Sequence, residues 1–255
     1  MVSVLEALIL GIIQGITEWL PVSSSGHLAL AQNFLGITQP VVFDLILHVG
    51  TLIVVFLVFY KELFQVIKGF FSFDKCNKDF MLSLYLIIAT LITGVIGVIF
   101  NEFFVKAFEN LRIIGIGFLI TAMILFFSKI GKSNKKLGLI DSVFIGLAQA
   151  LSILPGVSRS GSTIGIGLIR NVDRKEVAVF SFLLAIPAII GGFVFQFNQS
   201  GLNIEALPLI IGFLTSFVVG YLSLKWLLKV IYHGNFHYFG WYVLVLGIIT
   251  LIFSF

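Results

Sequence analysis

Charge is what this chain most lacks. Charged residues make up 11% of its 255 positions, hydrophobic residues 59%, and the mean hydropathy is +1.12. A soluble domain carries about 25% charged residues, and a chain with so few cannot cover itself for water. Cysteine is almost absent, and Cys76 alone excludes an intramolecular disulfide. No Lys or Arg precedes Lys61. The N-terminus therefore lacks the basic region of a signal peptide, and its first apolar segment is expected to stay in the protein. The pI near 9.2 would suit nucleic acid, but the basic residues are scattered through loops. They read as signals of membrane orientation instead, and no nucleic-acid partner is expected.

Present instead are long apolar runs. Six are long enough to span about 30 Å of hydrocarbon, which needs about 20 helical residues: 41–60, 80–100, 112–130, 177–197, 208–229 and 238–254. Two regions, 2–36 and 139–170, are each interrupted by a hydroxyl-rich break: Pro21-Val22-Ser23-Ser24-Ser25-Gly26-His27 and Pro155-Gly156-Val157-Ser158-Arg159-Ser160-Gly161-Ser162-Thr163. The limbs after the breaks, Ser24 to Gly36 and Gly161 to Arg170, reach only about 20 and 15 Å at 1.5 Å per residue. Both regions are therefore expected to be re-entrant hairpins that return to the side they entered.

The breaks echo each other. Shifted by 135 positions, Gln14 falls on Gln149, Val22-Ser23 on Val157-Ser158 and Ser25-Gly26 on Ser160-Gly161. Phe43 to Thr51 likewise has a counterpart in Phe180 to Ala188. Each half holds one hairpin and three spans, and because three is odd the second copy must be inverted. The fold class expected is an all-α polytopic membrane protein, an inverted-topology repeat of six transmembrane helices plus two re-entrant helical hairpins. It forms one integral membrane domain over 1–255, with repeats at about 1–130 and 139–255 divided by the connector from Gly131 to Gly138. Residues 61–78, where Lys alternates with Phe, Val and Ile, read as an interfacial helix.

Polar breaks inside apolar sequence are tolerated only where backbone lines an enclosed or watery cavity, so a polar site is expected where the tips meet near the midplane. Glu18, one turn before the first break, is an ionisable group in apolar surroundings and hence a functional candidate. A structural alternative is that it only caps the break or pairs with a cation. Gln14 lies four residues earlier on the same face, and the two offer oxygens of the kind that Mg²⁺ or Ca²⁺ prefers. The serines can cap the following helices, whose N-termini form anion sites. Arg159 adds planar donors matched to phosphate. Ser23, Ser25, Ser158, Ser160 and Thr163 are candidates for holding such an anion. His27 is a candidate nucleophile or general acid or base, beside the bland reading of a hydrogen-bonded core histidine. Asp44 and His48, spaced i to i+4 on the next span, could support the site from behind. Arg170, Arg174 and Lys175 read as orientation determinants rather than ligands.

The segments QGITEWLPVSSSGH and PGVSRSGST resemble the paired signatures of the undecaprenyl-diphosphatase family, also called bacitracin-resistance proteins, and the likeness runs through the whole chain, including FSFLLAIP at Phe180 to Pro187. The resemblance implies a bacterial inner-membrane hydrolase that removes the terminal phosphate of undecaprenyl diphosphate. Its product is the lipid carrier for peptidoglycan precursors in cell-wall synthesis. The family's first motif has Glu or Gln, three residues, then Glu, here Gln14 and Glu18. Ser24, His27 and Arg159 fall on positions regarded as functional, and members resemble divalent-metal-dependent enzymes. The implied partners are a polyprenyl diphosphate and membrane lipids, with a homo-oligomer left open. Between Ser24 and His27 the nucleophile stays open, with Ser24 favoured for its place at a half-helix N-terminus and His27 as the base beside it. A transporter or flippase fits the inverted repeat as architecture but needs no attacking hydroxyl or imidazole. A scaffold leaves the matched breaks unexplained.

Of the 16 Lys and Arg residues, thirteen fall in one set of loops. Only Lys106 and Arg112 fall in the other, and Arg159 lies in the second break. The richer side is expected in the cytoplasm, with both termini and the mouth of the first hairpin outside. With Cys76 replaced, a cysteine at Asn198 or Asn203 should react with a membrane-impermeant maleimide from outside, and one at Ser133 only after the membrane is opened. The opposite labelling pattern would invert the orientation.

Overall fold

The computed structural model describes residues 2–36, 41–74, 76–197 and 205–254. Lys75, Asn198 and Asn203 lie outside them. Twelve α-helices and one 3-10 turn account for the described regular structure, with no strand among the described residues. The chain is an all-α polytopic membrane protein. Its surface carries large apolar side chains where a soluble protein would be polar, such as Leu91 and Val98 in one helix and Leu222 and Trp226 in another.

The first hairpin is α1 (Val4–Thr17) and α2 (Ser24–Leu35); the second is α8 (Leu139–Leu151) and α9 (Arg159–Ile169). In each hairpin the two limbs pack on each other. Ser3 opens α1 with a reciprocal cap: its Oγ accepts from the Glu6 N–H at 3.2 Å, and the Glu6 carboxylate accepts from the Ser3 N–H at 2.7 Å. At the start of α8, the Asp141 carboxylate accepts from the Gly138 N–H at 3.1 Å. The longest limb, α1, has 14 residues, about 21 Å, so no limb crosses a bilayer alone.

Between and after the hairpins run α3 (Val41–Val58), α4 (Tyr60–Phe70), α5 (Lys78–Ile99), α6 (Asn101–Phe108), α7 (Leu111–Ser128), α10 (Arg174–Phe197), α11 (Ala206–Tyr232) and α12 (Phe239–Ile252). Four of them, α5, α7, α10 and α11, are by themselves long and apolar enough to cross a membrane; α3 and α4 qualify together but are bent by 77° at Phe59. That bend fits the amphipathic sequence of α4, whose apolar face packs on α5. The sixth expected span, 238–254, is offset: regular structure runs from 236 to 252 and only part of it is α-helix. Here α12 has 14 residues, led in by the 3-10 turn Phe236–Tyr238, and the two together reach only about 27 Å. The small helix α6 was not foreseen.

Helices from the two halves interleave: α1 packs on α11, α8 on α5, and α7 on α12. The α1–α11 seam is built from small residues. A Cβ on Gly15 would come 2.7 Å from Val219 Cβ and 2.8 Å from the Gly220 nitrogen, and one on Gly11 would come 2.8 Å from the Gly212 oxygen. Such Gly-xxx-Gly faces let backbones approach where lipid gives no hydrophobic drive. Around the breaks, Trp19, Val22, Phe118, Ile164 and Phe180 form part of one buried cluster. Gly15→Leu should lower stability in detergent by about 2 kcal/mol, read from thermal unfolding. Gly94→Leu, where no atom lies within 4 Å of the added carbon, should leave the transition unchanged.

Candidate active site

Glu18 stands just past the last turn of α1, its N–H bonded to the Gln14 carbonyl at 2.9 Å. This geometry puts both side chains on one face, and Gln14 Nε2 donates to Glu18 Oε2 at 3.0 Å. The carboxylate, 7% exposed, is met from three more directions. Ser24, the first residue of α2, donates its Oγ proton to Glu18 Oε2 at 2.6 Å. Arg159, the first residue of α9, donates from Nη2 to Glu18 Oε1 in a mostly buried ion pair. His48 of α3 brings Nε2 to 3.6 Å from Oε2, while its Nδ1 bonds the Asp44 carbonyl at 2.7 Å. Residues from both hairpins and from α3 thus converge on one carboxylate.

The two breaks are built alike. Ser23 caps α2 by accepting from the Gly26 N–H at 3.3 Å, and Ser158 caps α9 by accepting from the Gly161 N–H at 3.1 Å. Ser25 and Ser160 each lie 3.3 Å from their cap hydroxyl. Capping takes one first-turn donor from each helix and leaves the N–H groups of Ser24, Ser25, Arg159 and Ser160 without helical partners. Ser23 holds φ +68°, a costly conformation for a residue with a Cβ, of the kind found at ligand-binding positions. Trp19, fully buried, lies under the pair, with the Arg159 guanidinium 5.4 Å from its ring centre and Phe182 edge-on at 5.8 Å. Three polar atoms at this junction are buried without partners among the described residues: the donors Arg159 Nη1 and Trp19 Nε1 and the acceptor Gln14 Oε1. Buried polar groups of this kind call for a partner such as water, an ion or a ligand.

Residues 7–249 match the family model described as Bacitracin resistance protein BacA. The chain belongs to the BacA family. Its curated relatives agree over nearly their whole lengths. An undecaprenyl-diphosphatase of Carboxydothermus hydrogenoformans is 39% identical over 258 residues, covering 97% of this chain and 96% of that one. Proteins of the same name are 40% identical in Treponema denticola over 259 residues, 96% of each chain, and 37% identical in Methanosphaera stadtmanae over 273 residues, 100% of this chain and 99% of that one.

Within this BacA-family chain, the residues singled out from sequence separate into two sets. Gln14, Glu18, Ser24 and Arg159 are brought together. Ser23 and Ser158 serve as helix caps, Ser160 donates to the Leu20 carbonyl at 3.1 Å, and Thr163 donates to the Arg159 carbonyl at 2.8 Å. Their hydroxyls are engaged in shaping the breaks. His27 differs most from expectation. Its Nδ1 bonds the Ser23 carbonyl and its Nε2 the Tyr242 hydroxyl, both at 2.8 Å, and it stacks on Tyr242. The Ser24 hydroxyl therefore meets Glu18, not His27, because turning at Ser23 aims the serine back along α1. Trp19 and Tyr242 were not anticipated. Trp19 was signalled only by adjacency to Glu18, and Tyr242, 215 positions from His27, by nothing local.

Removing one ion of a buried pair strands the other. Arg159→Met alone should cost about 3–5 kcal/mol of stability, and Glu18→Leu alone should also destabilise. The double variant should recover most of the loss in denaturant or thermal melts. Additive losses would mean that the two groups do not act as a pair.

Proposed function

We propose that the chain hydrolyses undecaprenyl diphosphate to undecaprenyl phosphate and inorganic phosphate, returning the lipid carrier to cell-wall synthesis. The observation that carries the reading is the Glu18 carboxylate, which holds the Ser24 hydroxyl on one oxygen and the Arg159 guanidinium on the other, in a chain whose relatives bear that enzyme's name.

Ser24 is the nucleophile. Its Oγ attacks the terminal phosphorus as Glu18 Oε2 takes its proton; the bridging P–O bond breaks and undecaprenyl phosphate leaves. Water then cleaves the phosphoserine and releases phosphate. Arg159 keeps Nη2 on Glu18 and offers Nη1 to the terminal phosphoryl group, joined by the first-turn N–H groups of α2 and α9. Phosphoryl transfer depends mainly on such positioning. His27, held by Tyr242, steadies the Ser23 turn and does not attack. His48 supports Glu18 from behind.

A divalent cation, Mg²⁺ or Ca²⁺, belongs to the reading. Gln14 Oε1, buried without a partner, and Glu18 are the oxygens that would hold it. Among the described residues no group of three or more His, Cys, Asp or Glu could hold a metal, so the diphosphate itself would complete the shell, as is common for Mg²⁺. Gln149 carries a similar orphaned oxygen, but Ile153 stands where its acid would be. When bound, the cation would neutralise charge on the phosphoryl oxygens.

The halves are read as inverted copies, a reading supported by the exchange of partners between α1–α11 and α8–α5. The Lys/Arg bias supports termini and first-hairpin mouth on the outer face of a bacterial inner membrane.

Detergent-purified protein should release phosphate from a polyprenyl diphosphate, lose that activity to a chelator and regain it with Mg²⁺. Ser24→Ala should lower turnover at least about 1,000-fold and Arg159→Lys about 100-fold, with folding retained. His27→Ala should keep measurable turnover. Abolition by His27→Ala together with substantial activity in Ser24→Ala would transfer the nucleophile to the imidazole.

A further inference from the structure

At the end of the molecule that carries the connector, away from the hairpin tips, a cleft opens where the C-terminal end of α7, the end of α9, the start of α10 and the turn between α11 and α12 meet. Its enclosed space is small, about 20 Å³, and the rest of it opens to solvent. Its floor is apolar: Leu168, Ile231 and Phe236 are 5%, 0% and 2% exposed. Its rim carries Lys129, Arg174 and His237.

The rim's two permanent cations, Lys129 and Arg174, have no ion-pair partner among the described residues. The Arg174 guanidinium lies against the turn at Gly234, where φ is +79° and an added Cβ would stand 3.1 Å from both Cζ and Nη2. A side chain there would push the guanidinium aside. Among the described residues, Arg174 donates only its backbone N–H, to Ser133 Oγ at 2.9 Å, and neither its guanidinium nor Lys129 takes part in an ion pair. Three acids on the adjoining elements have other partners. Asp141 accepts from Lys135 Nζ at 2.8 Å and Arg170 Nε at 2.6 Å. Asp173 accepts from the N–H groups of Lys175 and Glu176. Glu176 accepts from the Leu137 N–H at 2.8 Å.

Beside Lys129, the exposed side chains of Phe127 and Ile130 continue the apolar surface outward. Cationic rim, apolar floor and apolar flank are the complement of an anionic amphiphile rather than of a free ion. Basic pockets between helices on the Lys-rich side of a membrane protein recognise lipid headgroups by this combination. We propose that the cleft is a binding site for the phosphate of an acidic phospholipid, separate from the site at the hairpin tips, with Arg174 as the principal phosphate ligand and Lys129 beside it. The proposal is independent of the hydrolytic reading, since none of these residues belongs to the tip site.

The test uses the full chain in nanodiscs of phosphatidylglycerol or of phosphatidylcholine, followed by release into mild detergent and native mass spectrometry. Wild type should retain phosphatidylglycerol in preference to phosphatidylcholine. Arg174→Gln and Lys129→Gln should each retain about fivefold less, as about 1 kcal/mol per basic residue implies. Arg174→Lys should retain more than Arg174→Gln. Lys136→Gln, an exposed charge outside the cleft, should retain as much as wild type, and phosphate release by the cleft variants should be unchanged. Equal retention by wild type and both cleft variants would overturn the proposal. So would displacement of the lipid by millimolar inorganic phosphate, which would make this a free-phosphate site. If Arg174→Gln fails to fold, the comparison of Lys129→Gln with Lys136→Gln decides alone.

Discussion

The contact between one carboxylate and one guanidinium ties the two hairpins together at their polar tips. Glu18 and Arg159 are both largely withdrawn from solvent, and neither charge is tolerable there alone. Glu18 gains Arg159 from the other half of the chain, together with Ser24, Gln14 and a nearby imidazole. Arg159 gains the Glu18 oxygen and the face of Trp19. Neither hairpin completes its polar tip without the other. The reactive geometry and the union of the two halves are therefore one constraint. Arg159 Nη2 is taken by Glu18, while Nη1 has no partner among the described residues.

The two hairpins are alike in scaffold and unlike in chemistry. Positions 23 and 158 are both capping serines, 26 and 161 both glycines, and 14 and 149 both glutamines, each with its amide near a threonine hydroxyl, Thr51 or Thr93. Yet position 24 is serine where 159 is arginine, and 18 is glutamate where 153 is isoleucine. Helix N-termini supply the same partial positive charge on both sides. The differences leave an acid and a hydroxyl on one hairpin and a guanidinium on the other. One site results, where strict symmetry would have produced two incomplete ones. The hairpin roots differ too. Asp141 is buried between two cations, whereas Glu6 is half-buried and caps only its own helix.

Sequence made the all-helical membrane class, the two broken hairpins and the convergence of Glu18, Ser24 and Arg159 legible, because each rests on a local rule. Apolar runs define spans, clustered Ser and Gly define breaks, and an acid in apolar surroundings needs a partner. What was not legible depends on direction. The i to i+3 spacing of Ser24 and His27 suggested a hydroxyl–imidazole pair, but the unusual turn at Ser23 aims the hydroxyl at Glu18 and the ring at Tyr242. No spacing rule anticipates a positive φ on a serine. The last helix is led in by a 3-10 turn and stops at Ile252, short of 254, and hydropathy registers neither the change of helix type nor the final turn. Arg174 was read as an orientation signal because its pocket is assembled from four separate elements.

The interleaving of the halves also bears on how the chain is made. Helix α1, with Gly11 and Gly15 and its buried polar pair, finds its packing partner α11 only after nearly the whole chain has been synthesised. At about 5–20 residues per second, the first helix waits on the order of 10–40 s for it. Tyr242, the hydrogen-bond partner of His27, emerges later still. Until then the Gly11–Gly15 face of α1 lacks the helix it packs on, although Ser24, His48 and Thr51 reach its polar end early. Nascent chains should therefore depend on insertion machinery for longer than a bundle that assembles in sequence order.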